Sequence, residues 1–352
     1  MNQTDAPRIL FLADAGPNVG GGHVMRCLTL ARALAALGAE CAFAESRAAA
    51  PILRRFGWPE QTPLAMAAAD DVAGLVAHAE AFAERWGAAC VVVDHYKIGA
   101  EDEERLRGGV RKLVALDDLA DRRRDCDLVV DPGYGRRPEA YRGLAPSAAA
   151  VLTGPAYALV RPDFAAARPR ALSRRARHGP VRRALVSLGL TDLGGITGRV
   201  VEALAPLLGE ARLDVAVGSD APSLPALRLR AEADRRIHLW IDTAEMASLM
   251  ADADLAIGAG GSSVWERAAV GLPSATVALA DNQREMVERM AASGLTLALD
   301  AETPDFEARL AEAWRLLAAD ASLRWRLAER SAELCDGQGA PRTAEAVLQL
   351  LG

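Results

Sequence analysis

The residues best suited to chemistry gather at two glycine-rich turns. The first runs Gly20-Gly21-Gly22-His23, with Arg26 one turn further on. Glycines between a strand and a helix let the backbone approach a ligand closely, and a helix start offers unpaired N–H groups and a positive dipole end. That end disfavours an imidazolium, so a histidine placed there is fitted to begin a reaction as a neutral base. The plainer role for His23 is capping or packing in the turn. Asp14, just past the preceding strand, either orients the ring or serves the turn itself. No Gly-Lys-Ser/Thr follows, so this is not a Walker loop, and Gly16, Gly20, Gly21 and Gly22 do not form the G-x-G-x-x-G dinucleotide fingerprint.

The second turn is Gly258-Ala259-Gly260-Gly261-Ser262-Ser263-Val264-Trp265-Glu266-Arg267. Its backbone N–H groups, with Ser262 or Ser263, suit a diphosphate, and Glu266 one turn deeper suits the two hydroxyls of a ribose. A capping arrangement accounts for Ser262 and Glu266 as well. Asp281-Asn282-Gln283 opens a later helix, and Asn282 carries both donors and an acceptor, although capping explains Asp281 or Asn282 too. Tyr96 offers a phenol to a ligand or simply packs its ring. Asp94, His95, Asp117 and Asp118 follow strand ends, where turn chemistry is sufficient for some of them and leaves the others as supporting residues at best.

These turns need a scaffold, and the apolar pattern supplies one. Strands are expected at Arg8–Leu12, Glu40–Ala44, Cys90–Asp94, Lys112–Leu116 and Leu128–Asp131, with helices such as Met25–Leu37 and Asp71–Trp86 between them. A second series runs Ala184–Ser187, Leu213–Val217, Ile237–Trp240, Leu255–Gly258 and Ser274–Val277, with helices at Gly198–Leu208 and Met246–Ala251. Strand-then-helix repetition implies parallel sheets with crossover helices, because parallel strands cannot be joined by a tight turn. The pattern is that of two Rossmann-like domains facing across a cleft, with ligands at the carboxyl ends of both sheets. The domains are expected at residues 1–165, carrying the His23 loop, and 184–352, carrying the nucleotide loop. Between them, residues 166–183 are rich in Arg and Pro and read as an exposed linker or, less simply, an anionic contact site.

The chain has 352 residues, about right for two domains of ~150–200 each. Aromatics are 5% against 51% hydrophobic residues, so the core must be Ala, Leu and Val, which suits helices on parallel sheets. A net charge of -6 argues against nucleic acid as a partner, since phosphate neutralisation needs a concentrated basic surface. The five cysteines are scattered, with no C-x-x-C and no zinc spacing, and read as reduced cytoplasmic thiols. No signal peptide is expected from MNQTDAPRIL, and no apolar run reaches the ~18–20 residues of a membrane helix. The expectation is a cytoplasmic monomer.

The chain resembles the hydrolases of pseudaminic acid synthesis, which cleave UDP-2,4-diacetamido-2,4,6-trideoxy-β-L-altropyranose to the free sugar and UDP and share the GT-B fold with the MurG glycosyltransferase. The resemblance rests on Gly22-His23-Val24-Met25-Arg26-Cys27-Leu28-Thr29-Leu30-Ala31, Val93-Asp94-His95-Tyr96, Leu116-Asp117-Asp118, Tyr157 through Phe164, Gly260 through Arg267, and Asn282-Gln283. It implies an α/β GT-B fold and C–O cleavage at the anomeric carbon with inversion, without metal ion or other cofactor, in a pathway serving flagellin or surface glycosylation. It further implies that His23 activates water and that Tyr96 and Asn282 line the sugar pocket. By the same resemblance Gly260, Gly261, Ser262 and Ser263 hold the diphosphate and Glu266 the uridine ribose. Gly22, Arg26 and Gln283 complete the expected substrate contacts. One departure stands out: Leu190 replaces the second glycine of a family turn, and Gly195 falls where a substrate-contacting Asn is expected, leaving Thr191 or Thr197 as substitutes. The remaining readings are a GT-B glycosyltransferase with a UDP-sugar donor and a non-catalytic nucleotide-sugar-binding protein.

Overall fold

The computed structural model describes residues 6–16, 19–56, 64–66, 71–177 and 179–352. Pro17 and Asn18 of the first glycine loop and His178 of the basic stretch lie outside the described residues, as do residues 1–5 of the amino-terminal segment read for a signal peptide. The chain divides into two compact units, residues 1–159 with 338–352, and residues 160–337.

The first unit is built on β1 (Arg8–Ala13), α1 (Gly22–Ala36), β2 (Glu40–Glu45), α2 (Ala50–Phe56), β3 (Leu64–Met66), α3 (Val72–Trp86), β4 (Cys90–Asp94), α4 (Ala100–Arg107), β5 (Lys112–Leu116), β6 (Leu128–Asp131) and β7 (Ala150–Thr153). Its seven strands lie in the order β3-β2-β1-β4-β5-β6-β7, every pair parallel. Strand β1 shows why both faces must be covered: Ile9, Leu10, Phe11 and Leu12 are all fully buried. Alternate residues point to opposite faces, so Ile9 and Phe11 pack with Val24, Leu28 and Leu34 of α1, while Leu10 and Leu12 pack with Leu75, Val76 and Ala79 of α3.

The second unit contains α5 (Pro162–Arg175), β8 (Arg183–Ser187), α6 (Ile196–Leu204), β9 (Arg212–Val217), α7 (Leu224–Ala233), β10 (Ile237–Ile241), α8 (Met246–Asp252), β11 (Leu255–Ala259), α9 (Ser263–Ala269), β12 (Ser274–Ala278), α10 (Asp281–Ala292), β13 (Leu297–Asp300), α11 (Phe306–Ala319) and α12 (Ala321–Leu334). Its six strands run β10-β9-β8-β11-β12-β13, again all parallel. The last helix, α13 (Gly339–Leu351), groups with the first unit.

Each strand expected from the sequence is present. Two boundaries differ from expectation. The stretch 166–183 is not an open linker through most of its length, because α5 occupies it as far as Arg175. Arginine supplies what apolar residues lack there: the Arg168 guanidinium donates to the carbonyls of Ala269 at 2.6 Å, Ala332 at 2.6 Å and Cys335 at 3.0 Å. The second difference is α13, expected in the second domain. Its Ala344 and Val347 are fully buried in the core beneath α1, which draws the helix to the first unit.

In each sheet the strand order reverses where a glycine-rich turn emerges, between β1 and β4 and between β8 and β11. Such switch points open a crevice at the carboxyl ends of the strands. The turn after β11 is braced from behind by Arg267, only 2% exposed. Its Nη2 donates to the Ala259 carbonyl at 2.9 Å and to Thr276 Oγ1 at 3.2 Å, and its Nη1 to Ser263 Oγ at 3.2 Å. The guanidinium fills the space a side chain at 258 would take: a Cβ on Gly258 would lie 2.3 Å from Nη1. Gly258→Ala is therefore expected to lower unfolding free energy by about 1–3 kcal/mol, the usual cost of overpacking. Gly261→Ala, whose nearest contact would be 3.8 Å away, should shift it far less. Urea denaturation of the two variants against the parent checks the contrast.

Candidate active site

His23 is the second residue of α1, at 5% exposure. Parallel pairing sets Ala13 of β1 opposite Asp94 of β4, so the carboxylate ending β4 meets the helix that follows β1. His23 Nδ1 lies 2.6 Å from Asp94 Oδ1. Arg26, three residues on and so on the same helix face, clamps that carboxylate with both prongs: Nε to Oδ2 at 2.5 Å and Nη2 to Oδ1 at 2.6 Å. Its Nη1 donates to Asp118 Oδ2 at 2.8 Å.

This geometry fixes the histidine tautomer. Burial alone would raise the Asp94 pKa, but Arg26 and then His23 override it and hold the carboxyl well below the usual carboxylate range. An ionised oxygen has only lone pairs to offer, so the 2.6 Å contact requires the proton on His23 Nδ1. Nε2 is then the ring's acceptor. Arg26 Nη2 also lies 3.0 Å from Nδ1, but its N–H is directed to the shared Oδ1. Because Arg26 already matches the charge of Asp94, the carboxylate orients the ring without being left as an unbalanced buried anion.

Tyr96 packs edge-on against the His23 ring, with centroids 4.4 Å apart at 85°. Burial, then the Asp118 charge, push its phenol above the usual range, so it stays a hydrogen-bond donor. Its backbone N–H donates to Asp14 Oδ2 at 3.3 Å. Asp14 thus holds the turn after β4 rather than the His23 ring. His95 Nδ1 accepts from the Lys97 N–H at 3.1 Å, which leaves Nε2–H facing Asp14 Oδ1 at 3.5 Å. Gly22 opens α1, and Arg26 gives its guanidinium to the two aspartates.

In the second unit the turn Gly260-Gly261-Ser262 joins β11 to α9. A Cβ on Gly260 would lie 2.7 Å from Val287 Cγ2, so α10 packs directly on the turn. Gln283, on α10, accepts from the Leu279 N–H through Oε1 at 3.1 Å and so closes the end of β12. Ser262 is exposed, whereas Ser263 is half-buried and receives Arg267. Glu266 is half-buried and meets Arg161 Nε at 3.3 Å; burial raises its carboxyl pKa and Arg161 opposes the rise. Asn282 is exposed at the second position of α10.

The turn after β8 is organised by Asp192, fully buried, whose Oδ1 accepts from the Thr197 N–H at 2.7 Å and whose Oδ2 accepts from the Ser223 N–H at 3.1 Å. Gly194 and Gly195 both sit in the left-handed region, at φ +63° and +69°, where glycine carries no steric penalty and Asn is the next most tolerant residue. Thr197 is fully buried, so of the two threonines weighed as replacement contacts only half-buried Thr191 reaches the surface. Among the described residues, no group of three or more His, Cys, Asp or Glu is arranged to hold a metal ion, and no helix is long and apolar enough to cross a membrane.

Two residues were undervalued in the sequence. Asp94, read as a strand-end acid at most supporting the site, is the partner of His23, and its signal was the run Val91-Val92-Val93-Asp94 carrying an acid into a buried strand end. Arg161, within the family-like string but given no role, is the partner of Glu266.

No family model matches the chain. Among curated proteins, it is 24% identical over 247 residues to the UDP-2,4-diacetamido-2,4,6-trideoxy-β-L-altropyranose hydrolase of Campylobacter jejuni, covering 69% of this chain and 81% of that protein. It is 30% identical over 203 residues to the spore coat polysaccharide biosynthesis protein SpsG of Bacillus subtilis, covering 56% of this chain. That match spans 58% of the length of SpsG. Among solved structures, MurG of Acinetobacter baumannii superposes with a TM-score of 0.66 at 15% identity, covering 97% of this chain and 99% of that one. An S. aureus MnaA–UDP structure gives 0.64 at 13% identity, covering 98% and 97%. The chain is an α/β protein of the GT-B fold, similar in sequence to the UDP-diacetamido-trideoxy-altropyranose hydrolase of C. jejuni.

Proposed function

We propose that this protein hydrolyses a UDP-linked 2,4-diacetamido-2,4,6-trideoxy sugar, releasing free sugar and UDP for a glycosylation pathway of the pseudaminic acid type. The observation that carries the reading is the Asp94–His23 pair, which leaves His23 Nε2 as a positioned proton acceptor. Sequence similarity to the C. jejuni hydrolase supports the substrate class.

In this reading His23 Nε2 takes a proton from water as the water oxygen bonds to the anomeric carbon. The bond from that carbon to the diphosphate oxygen breaks, and its electron pair leaves with UDP. Attack opposite the leaving group inverts the anomeric centre. The imidazolium formed on His23 is stabilised by Asp94, as in a Ser-His-Asp triad. Arg26 is a positioning residue that keeps Asp94 ionised and aimed. Tyr96 holds the ring plane and, with Asn282, meets the sugar. The N–H groups from Gly260 to Ser263 receive the diphosphate charge as it develops, and Glu266, steadied by Arg161, accepts from the ribose hydroxyls.

Transfer to an acceptor other than water is the second reading, and one observation favours it. The first unit has a cavity of about 370 Å³ lined by Asp14, Ser46, Arg47, His95 and Lys97 among others, within the size range of small-molecule sites. An acceptor seated there would give an acceptor-dependent rate of UDP release, whereas the hydrolase releases UDP at full rate in buffer alone.

His23→Ala is expected to lower kcat for UDP release by about 10²–10⁴, the scale of a general base. Asp94→Asn should lower it comparably, because an amide at 94 no longer selects the Nδ1–H tautomer. Unchanged rates in both variants would remove the assignment. Asp94 also sets a pH dependence of stability. Its folded pKa is depressed, so its contribution is present above the unfolded value of about 4 and is lost as pH falls through the folded value. Near neutral pH, Asp94→Asn should destabilise by about 3–5 kcal/mol, since Arg26 loses its buried partner. The gap between variant and parent should narrow below about pH 4, as read by denaturation at a series of pH values.

A further inference from the structure

The second unit carries an unusual concentration of arginine at the amino end of its sheet, opposite the glycine turn. Arg174, Arg175, Arg324, Asp254 and Trp325 line a cavity there of about 40 Å³. Arg175 donates from Nη1 to the carbonyls of Ala171 at 3.0 Å and Ala251 at 3.2 Å, and from Nη2 to Met250 at 2.7 Å. Arg324, 7% exposed, donates to the carbonyls of Leu317, Ala318 and Gly179. Among the described residues neither guanidinium hydrogen-bonds a carboxylate, and Arg175 Nε is buried with no hydrogen-bond partner. Burial depresses the pKa of both, that of Arg175 to about 10.

The neighbouring carboxylates have hydrogen-bond partners of their own. Asp254 takes Arg174 at 2.6 Å and the N–H groups of Arg182 and Arg183 at 2.8 and 2.9 Å. Asp252 takes Arg170 at 2.7 Å and Arg183 at 3.4 Å. Asp320 caps α12 through the Leu323 N–H at 2.8 Å. At hydrogen-bond distance Arg175 and Arg324 are met by backbone carbonyls, those of α5, α8 and α11 among them, while the charges of Asp252, Asp254 and Asp320 act on them at longer range.

We propose that this cavity is an oxyanion site that binds one phosphate-sized anion. Three guanidiniums and a single carboxylate line it, guanidinium N–H groups suit tetrahedral oxygens, and the volume suits a single group: at ~10–15 Å³ of accessible space per water, it holds about three waters rather than a nucleotide. The five residues of β11 separate it from the glycine turn by about 16 Å, so it is distinct from the proposed UDP contacts. Occupancy ties α5 to α12 and to the start of β11.

The test is titration with inorganic phosphate at ionic strength held constant with potassium chloride, following tryptophan fluorescence and melting temperature. A hexose phosphate in a parallel titration distinguishes free phosphate from the phosphoryl end of a metabolite. A saturable fluorescence change with either is expected, together with a rise in melting temperature. Trp325→Phe should abolish the fluorescence change and leave the thermal shift. Arg174→Gln and Arg324→Lys should each weaken binding at least about fivefold, with far-UV circular dichroism unchanged. If Arg324→Lys does not fold, Arg174→Gln, at a side chain 40% exposed, decides alone. The proposal is overturned if phosphate acts no differently from chloride, if the fluorescence change survives Trp325→Phe, or if the arginine substitutions leave binding unaltered.

Discussion

The geometry of the first unit's candidate site depends on one buried ion pair, Arg26 with Asp94. A carboxylate at 0% exposure is tenable only if its charge is met and its lone pairs are used. Arg26 does both from the helix that carries His23, through a two-pronged contact. The acid can then direct the imidazole without surrendering its own ionisation. Everything around the pair serves to keep that register: β1 and β4 side by side, α1 starting one residue before His23, and Asp118 anchoring the far prong of the guanidinium. Polar networks of this kind are rigid when every member is satisfied and costly when one is removed.

The second unit solves a similar problem differently. Its glycine turn is shaped by a buried arginine that, among the described residues, binds no carboxylate but a carbonyl and three hydroxyls, those of Ser263, Ser274 and Thr276. Burial lowers the pKa of Arg267 to about 10, leaving it a cation at neutral pH. The glycine at 258 is therefore required by the brace behind the turn, and the glycine at 260 by the packing of α10. Neither is explained by ligand approach alone, the reason a sequence reader reaches for first.

Much of this was legible in the sequence. Strands such as Cys90–Asp94 and Leu255–Ala259 announce themselves as short apolar runs, because parallel strands covered on both faces need no polar alternation. The two glycine turns were found by residue type. Other features escaped, for physical reasons. Strands β3, β7 and β13 are only three or four residues long, so their apolar runs are too short to stand out. Helix α5 is held by arginine-to-carbonyl bonds, which leave no hydrophobic periodicity. The pairing of His23 with Asp94 spans 71 positions and depends on β1 neighbouring β4, a matter of sheet order that local pattern does not encode.

The return of α13 to the first unit has a consequence for synthesis. Ala344 and Val347 complete the core beneath α1, yet they are made only after the whole second unit has been translated. Until then the nascent first unit carries an uncovered apolar strip along α1 and the sheet beneath it. The part that begins first is thus the last to be sealed, and an interrupted chain exposes the kind of surface that aggregates or recruits chaperones. A minimal first unit for recombinant work must join residues 1–159 to 338–352 rather than stop at the domain boundary.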